Sequence, residues 1–163
     1  MKFSMTINDE KFSLEEEPET SLLELLRKQK LLSVKRGCGK ANCGSCAVLL
    51  DDEPVLSCMI PCGILRNANI VTLEHFSKQA ACQEIMKGFE KAGVTLCGWC
   101  NPGKIFAAYS IIKKYSNPTR EQAAQAVKDL RECCVESDTL INGIIYAAQI
   151  HFEKERLKKN AKQ

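Results

Sequence analysis

Residues 36–46 read RGCGKANCGSC, a stretch with three cysteines and three glycines in eleven residues. Seven further cysteines bring the total to ten in a chain of 163 residues. A chain of this length can bury a hydrophobic core without disulfide bonds. Its first ten residues, MKFSMTINDE, reach charged side chains before any apolar stretch of signal-peptide length. We therefore expect a cytoplasmic protein whose clustered cysteines bind metal.

The composition also bears on the partners. The 23 basic and 20 acidic residues nearly balance at a net charge of +3, and only 6% of the residues are aromatic. Without a basic stripe interleaved with aromatic residues, we expect no nucleic-acid partner. No stretch approaches the roughly 18 apolar residues that a membrane span needs, so we expect no membrane association.

The cysteine spacing narrows the kind of metal site. Cys38, Cys43, Cys46 and Cys58 follow the pattern C-x4-C-x2-C-x11-C, which begins like the plant-type spacing that holds a [2Fe-2S] cluster. Gly37, Gly39 and Gly44 are expected to take positive φ and turn backbone N–H groups toward sulfur. A zinc site or a set of buried free cysteines remains the alternative at this point. Outside this pattern, Cys62 and Cys82 are expected to be buried free thiols.

The hydrophobic pattern divides the chain into two halves of an α+β fold. Alternating residues predict a hairpin over 2–14, and a capping box followed by leucines predicts a helix from about 21 to 30. Three further strands are predicted at residues 47–50, 55–58 and 70–73. From about residue 78 the apolar period becomes 3.6, which predicts four helices, arranged most simply as a four-helix bundle. Their apolar faces fall at residues 82–89, 105–112, 123–130 and 141–148.

Three segments resemble the iron–sulfur subunits of molybdenum hydroxylases of the xanthine dehydrogenase type. They are TSLLELLRKQKLLSVKRGCGKANCGSCAVLLDDEPVLSC, LCGWCNPGKIFAAY and NPTREQAAQAV, and the resemblance extends from residue 3 to about residue 150. It implies a β-grasp ferredoxin-like domain over residues 1–76. It also implies a four-helix-bundle domain over residues 77–163. From its charge, the tail from Lys154 to Gln163 is expected to fray. Each domain would hold one [2Fe-2S] cluster, and the first cluster's ligands would be Cys38, Cys43, Cys46 and Cys58.

The second family motif is only half matched. Cys97 and Cys100 lie in CGWCNPG as the family pattern requires, but the later C-x-C followed by Gly-Tyr is replaced by RECCVES at residues 131–137. In the first of three interpretations, Cys133 and Cys134 both act as ligands and complete a second cluster. Alternatively, a carboxylate of Glu132 or Glu136 replaces one thiolate. In the third interpretation the site is empty and its cysteines are small core residues.

The resemblance implies an electron-transfer subunit. A molybdopterin-containing large subunit would oxidise the substrate, and electrons would pass through the second cluster and then the first to a FAD subunit or an external acceptor. We expect no catalytic residue on this chain itself. Leu96 replaces a family glutamine that touches molybdopterin and Lys104 replaces an apolar residue, so we expect a changed surface toward the large subunit. The alternative function is a divergent paralogue that holds only the N-terminal cluster and acts as a docking, assembly or redox-sensing module.

Overall fold

A computed structural model describes residues 2–161 and has an α+β fold. Within residues 2–161 the strands are β1 (Lys2–Ile7), β2 (Glu10–Glu15), β3 (Ala47–Leu50), β4 (Glu53–Leu56) and β5 (Asn69–Val71). They form one mixed sheet in the order β2-β1-β5-β3-β4. Strand β1 pairs in parallel with β5, whereas the other three pairings are antiparallel.

Two tight turns set the strand register. In the first hairpin both turn residues, Asn8 and Asp9, have positive φ (51° and 69°), as a two-residue hairpin turn requires. The predicted hairpin is thus confirmed. Asp51 and Asp52 form the same kind of turn between β3 and β4 (φ 49° and 69°).

The sequence placed β4 and β5 imprecisely. Strand β4 was predicted at 55–58, but it begins at Glu53 because the preceding turn has only two residues. It ends at Leu56 because Ser57–Met59 forms a 3-10 turn. This turn removes Cys58 from the sheet. Strand β5 ends at Val71, since Thr72 already precedes a short helix.

The predicted N-terminal helix is α1 (Leu22–Lys28), and it packs against the sheet. Ser21 is the N-cap of this helix, and its Oγ accepts a hydrogen bond from Glu24 N at 3.3 Å. All four leucines of α1 are buried, in one hydrophobic cluster with Met5, Ile7, Val48 and Ile70 of the sheet. Such burial contributes about 1.5–3 kcal/mol for each leucine.

The C-terminal region is helical. The four predicted helices are present there, after one short additional helix at the end of the sheet. The helices are α2 (Leu73–Phe76), α3 (Ala80–Lys91), α4 (Asn101–Lys114), α5 (Arg120–Val127) and α6 (Ser137–Asn160). Contrary to the prediction that the chain frays from Lys154, α6 continues to Asn160. Ion pairs on that helix help to explain this, since Lys154 Nζ lies 2.5 Å from Glu84 Oε1 on α3 and Lys158 Nζ lies 2.7 Å from Glu155 Oε1.

The second hydrophobic cluster joins the helices to the sheet. It is centred on Phe76, Phe89, Phe106 and Ile144, and it also includes Leu49 of β3. Phe76 packs against Phe106 with ring centroids 5.2 Å apart. Helix α4 consequently lies against the sheet beside the cysteine-rich loop.

A carboxylate network fixes the chain segment that leads into the cysteine-rich loop. Glu74 accepts hydrogen bonds from Ser33 N at 2.6 Å, from Ser33 Oγ, and from Thr72 Oγ1 at 2.6 Å. Burial opposes ionisation of Glu74, but these hydrogen bonds outweigh it and lower its pKa. The start of the loop is therefore tied to the junction between sheet and helices.

Helices α3 and α6 approach closely at a glycine. A Cβ added at Gly88 would lie 2.3 Å from Ala147 N and 2.5 Å from Ala147 Cα, both backbone atoms of α6. We expect Gly88→Ala to lower the free energy of unfolding by about 1–3 kcal/mol, the usual cost of overpacking. This cost exceeds the gain in helix propensity, which is about 1 kcal/mol at most.

Denaturant unfolding of the cluster-loaded protein measures this effect. Lys87→Ala, at the exposed neighbouring position of the same helix, is the control and should leave the midpoint nearly unchanged. A Gly88→Ala protein as stable as the parent would contradict the close backbone contact.

Within residues 2–161 no helix combines the length and the apolar character needed to cross a bilayer.

Candidate metal centres

The first candidate site is the cysteine-rich loop between α1 and β3. Cys38, Cys43 and Cys46 lie on this loop, and Cys58 reaches it from the 3-10 turn after β4; all four line one small pocket. Within it Cys38 lies next to Cys43, and Cys46 next to Cys58. Two neighbouring pairs match the two thiolates that each iron of a [2Fe-2S] cluster binds.

Backbone N–H groups of the loop point at sulfur. Lys40 N and Asn42 N each donate to Cys38 Sγ at 3.3 Å, and Ser45 N donates to Cys43 Sγ at 3.5 Å. Positive φ at Gly39 (64°) and Gly44 (72°) produces this curl. Concave arrangements of N–H groups of this kind bind anions.

The prediction for Gly37 was wrong, because its φ is not positive. Its role is steric instead. A Cβ added at Gly37 would lie 2.4 Å from Cys43 Sγ. Glycine is needed there because the chain passes directly over a sulfur atom.

The thiols of this set differ in acidity. Hydrogen bonds from the backbone N–H groups of Lys40 and Asn42 lower the pKa of Cys38 to about 6. Burial raises the pKa of Cys46 to about 11. Cys38 is therefore ready to bind metal as a thiolate at neutral pH, whereas Cys46 must release its proton as metal binds.

A buried hydroxyl group in the loop, that of Ser45, is also consistent with a bound anionic sulfur cluster. Among residues 2–161, Ser45 Oγ is the buried side-chain oxygen or nitrogen that lacks a hydrogen-bond partner. Ser45 is fully buried and lies between Cys43 and Cys46. A buried hydroxyl without a partner is costly. The sulfides of a bound cluster would supply acceptors beside it.

The second candidate site joins two distant segments. Cys97 and Cys100 precede α4, and Cys133 and Cys134 precede α6, yet all four Sγ atoms lie within 4.8 Å of one another. Cys100 Sγ and Cys133 Sγ are 2.8 Å apart. This set is the one group in residues 2–161 in which at least three Cys, His or acidic side chains converge so closely. The adjacent Cys133 and Cys134 therefore both face the site, as the first of the three interpretations expected.

The acidities in the second set repeat the pattern of the first. Hydrogen bonding, chiefly from the backbone N–H of Trp99, lowers the pKa of Cys97 to about 7. Burial raises the pKa of Cys100 to about 12. Each set thus combines an acidic thiol, that of half-buried Cys38 or of exposed Cys97, with a buried thiol that loses its proton when metal binds.

A carboxylate ligand is not favoured by the geometry. Glu132 Oε1 accepts a hydrogen bond from Ser137 N at 3.0 Å, at the first turn of α6, and so caps this helix. Neither Glu132 nor Glu136 belongs to the converging group. An acidic side chain at a helix N-terminus is stabilised by the helix dipole, which accounts for Glu132 without a metal.

Lys104 lies where the sequence did not place it. We expected it on the surface toward a large subunit, but it is only 2% exposed. Its Nζ donates to Cys100 Sγ at 2.8 Å and to Cys133 Sγ at 3.5 Å. Burial opposes its charge, but the hydrogen bond to Cys100 and the nearby thiolates outweigh burial and raise its pKa. A buried cation among four thiols fits a site that is occupied by anionic sulfur.

The two sites meet at a contact between two glycines. A Cβ added at Gly103, in the first turn of α4, would lie 2.7 Å from Gly44 Cα in the first cysteine loop. A Cβ added at Gly44 would in turn lie 3.0 Å from Gly103 Cα. The backbone of the first site therefore touches the helix that begins at Cys100 of the second.

Sequence reasoning missed the burial of Lys104 against the second cysteine set, and it missed the roles of Ser45 and Gly103. Gly103 sits beside a proline at a helix start, and this position alone suggests only helix initiation. Cys62 and Cys82 are buried free cysteines, as predicted. Leu96 is half-buried and packs against the second hydrophobic cluster.

With two sets of four cysteines, the chain belongs to the class of proteins with two metal–thiolate centres. Residues 5–87 match the family of the 2Fe-2S iron-sulfur cluster binding domain, and residues 72–149 match that of the [2Fe-2S] binding domain. The "nicotinate dehydrogenase small FeS subunit" of Eubacterium barkeri is 34% identical over 76% of this chain and 80% of its own length. The "xanthine dehydrogenase iron-sulfur-binding subunit" of Escherichia coli O157:H7 is 39% identical over 67% and 69%.

Solved structures agree. A chain of quinoline 2-oxidoreductase from Pseudomonas putida 86 superposes with a TM-score of 0.79 at 28% identity, over 91% of this chain and 94% of that one. The aldehyde oxidoreductase of Desulfovibrio desulfuricans gives the same TM-score at 30% identity, but only 17% of that longer chain is covered.

The chain therefore belongs to the family of [2Fe-2S] iron–sulfur small subunits of molybdenum hydroxylases, which confirms the resemblance seen in the sequence. Its cofactors are two [2Fe-2S] clusters, and it is a redox subunit of an oxidoreductase.

Proposed function

We propose that this chain relays electrons from a molybdopterin-containing large subunit to a FAD subunit or an external acceptor. Each [2Fe-2S] cluster, when bound, accepts and donates one electron at a time. The chain contributes cysteine ligands, burial and hydrogen bonds to sulfur. We include no catalytic residue in this proposal. The reaction of the substrate would take place on the partner.

The ligand assignment is part of the proposal. In it, Cys38, Cys43, Cys46 and Cys58 bind the first cluster, and Cys97, Cys100, Cys133 and Cys134 bind the second. The N–H groups aimed at Cys38 and Cys43 support the first set, and the convergence of all four Sγ atoms supports the second. The domains that carry them are taken as residues 1–76, with the β-grasp fold, and residues 77–163, with a four-helix bundle.

The observation that carries the relay is the contact between the two sites. Gly44 and Gly103 touch through their backbones, so that the two cysteine sets lie on adjoining segments. Electrons from the partner enter at the second set and leave at the first. Beside the second set, Trp99 is 55% exposed, and next to Cys58, Met59 is 58% exposed. Large exposed apolar side chains at both sites suit docking to a partner on each side.

Iron and acid-labile sulfide analysis of anaerobically prepared protein tests the proposal. We expect about four irons and four sulfides per chain, two from each cluster. The dithionite-reduced protein should give two distinguishable EPR signals. About two irons with a single signal would instead support the alternative function, a docking, assembly or redox-sensing module with one cluster. A colourless protein that contains zinc would contradict both.

The partner is tested separately. Affinity-tagged chain expressed in its native cell should co-purify with a molybdenum-containing large subunit, and the complex should pass electrons to an added acceptor. A chain that carries both clusters but is recovered only as a free monomer would contradict the proposed large-subunit partner. We place this complex in the cytoplasm.

A further inference from the structure

Lys104 is a buried cation whose hydrogen bonds go to sulfur. It lies in the first turn of α4, is 2% exposed, and donates to Cys100 and Cys133 of the second set. Its environment is thus defined by the cluster ligands.

Burying a lysine at this position costs free energy unless its ammonium group lies next to a negative charge. An ammonium taken out of water loses its hydration, and burial is tolerated only where the charge is paired. The first turn of a helix adds a further cost, because the helix dipole is positive there. Two unfavourable effects therefore act on one side chain. They are offset where the neighbouring sulfur atoms carry negative charge.

The cations near the first set are different. Arg36 is exposed, and its guanidinium pairs with Glu24 Oε1 at 3.0 Å. Lys40 is also exposed. Solvent and salt screen such charges strongly, whereas a buried charge is screened much less. The second set therefore lies next to a positive charge that solvent screens only weakly, whereas the first set does not.

We propose that Lys104 raises the reduction potential of the second cluster by holding a fixed positive charge against two of its cysteine ligands; this inference rests on the ligand assignment proposed above. Reduction adds one negative charge to the cluster, and a nearby buried cation stabilises that charge. Potentials of iron–sulfur clusters respond to net charge, to hydrogen bonds on sulfur and to solvent exposure. Lys104 changes the first two of these together. It is a tuning residue that acts through the ligands.

Redox titration of the 163-residue chain, followed by EPR, tests the inference. We expect Lys104→Met to reduce the equilibrium constant for reduction of the second cluster at least about tenfold, which for a one-electron couple is a midpoint potential lower by about 59 mV. The signal of the first cluster serves as an internal reference and should not move. Because the charge is buried, the difference should persist at high salt.

Three further variants separate charge from structure. Lys104→Arg keeps a cation and should hold the potential near that of the parent. Lys104→Gln keeps a hydrogen-bond donor without the charge, and should lower the potential even where Lys104→Met does not assemble its cluster. Lys114→Met removes an exposed charge from the other end of α4 and should have little effect.

The outcomes distinguish the two proposals. A parent protein without a second EPR signal would overturn the ligand assignment and the tuning with it. A parent with both signals, whose second potential is unchanged in Lys104→Met or Lys104→Gln, would overturn the tuning alone. A lowered potential in the neutral variants, restored in Lys104→Arg, supports it.

Discussion

Replacing Cys134 by alanine is expected to abolish the second cluster and leave the first intact. The four Sγ atoms of the second set converge within 4.8 Å, so in the proposed ligand assignment the removal of one thiol leaves an iron without its full set of ligands. Iron should fall from about four to about two per chain, and one of the two EPR signals should disappear. Cys133→Ala should have the same effect, because Cys133 lies 2.8 Å from Cys100.

Two controls make this result specific. Cys82→Ala removes a buried thiol from the same helical region but outside the site, and it should retain both clusters. Glu132→Gln should also retain both, since its carboxylate caps Ser137 N rather than facing the cysteines. Loss of the second signal in Glu132→Gln together with its retention in Cys133→Ala would show that a carboxylate is the fourth ligand.

The contrast between the two cysteine sets shows what the sequence could predict. Three cysteines of the first set lie within nine residues, Cys38 to Cys46, and the glycines among them determine the local path of the chain. Such local patterns are readable without a structure. The alternation of the strands and the 3.6-residue period of the helices are local as well, and they predicted the α+β class and the order of its elements.

The second set depends on tertiary structure. Adjacent Cys133 and Cys134 can both face one site only because the segment before α6 is brought beside the start of α4, and no local pattern specifies this. Lys104 is the clearest case, since a lysine is normally read as exposed. Its burial follows from the packing of α4 against the sheet and from the sulfur atoms that compensate its charge. The start of strand β4 was predicted two residues too late, because the strand begins directly after the two-residue turn at Asp51 and Asp52.

The second large effect is expected at the contact between the two sites. Gly103→Ala would place a methyl group 2.7 Å from Gly44 Cα and 3.0 Å from Gly44 O. Neither neighbour is a flexible side chain, so the first cysteine loop and α4 must separate. We expect the free energy of unfolding to fall by about 1–3 kcal/mol. The two clusters should remain bound, because no ligand is changed, but the wider gap should slow electron transfer between them.

Two measurements on the protein with both clusters bound test whether the first cysteine loop and α4 separate. Denaturant unfolding gives the stability. The magnetic interaction between the two reduced clusters, seen as faster relaxation of their EPR signals, reports their distance and should weaken in Gly103→Ala. Gly44→Ala should act in the same direction, and more strongly, since alanine is also strained at a φ of 72°.

A glycine without such a contact provides the control. Gly93 has positive φ (75°) and open space around its Cβ position, so Gly93→Asn adds a side chain that tolerates this backbone and whose Cβ has open space. Its stability and magnetic interaction should match those of the parent. If Gly103→Ala behaves as Gly93→Asn does, the glycine contact does not set the distance between the clusters. An effect confined to Gly103→Ala and Gly44→Ala would mean that close backbone packing, rather than any side chain, joins the two halves of the electron path.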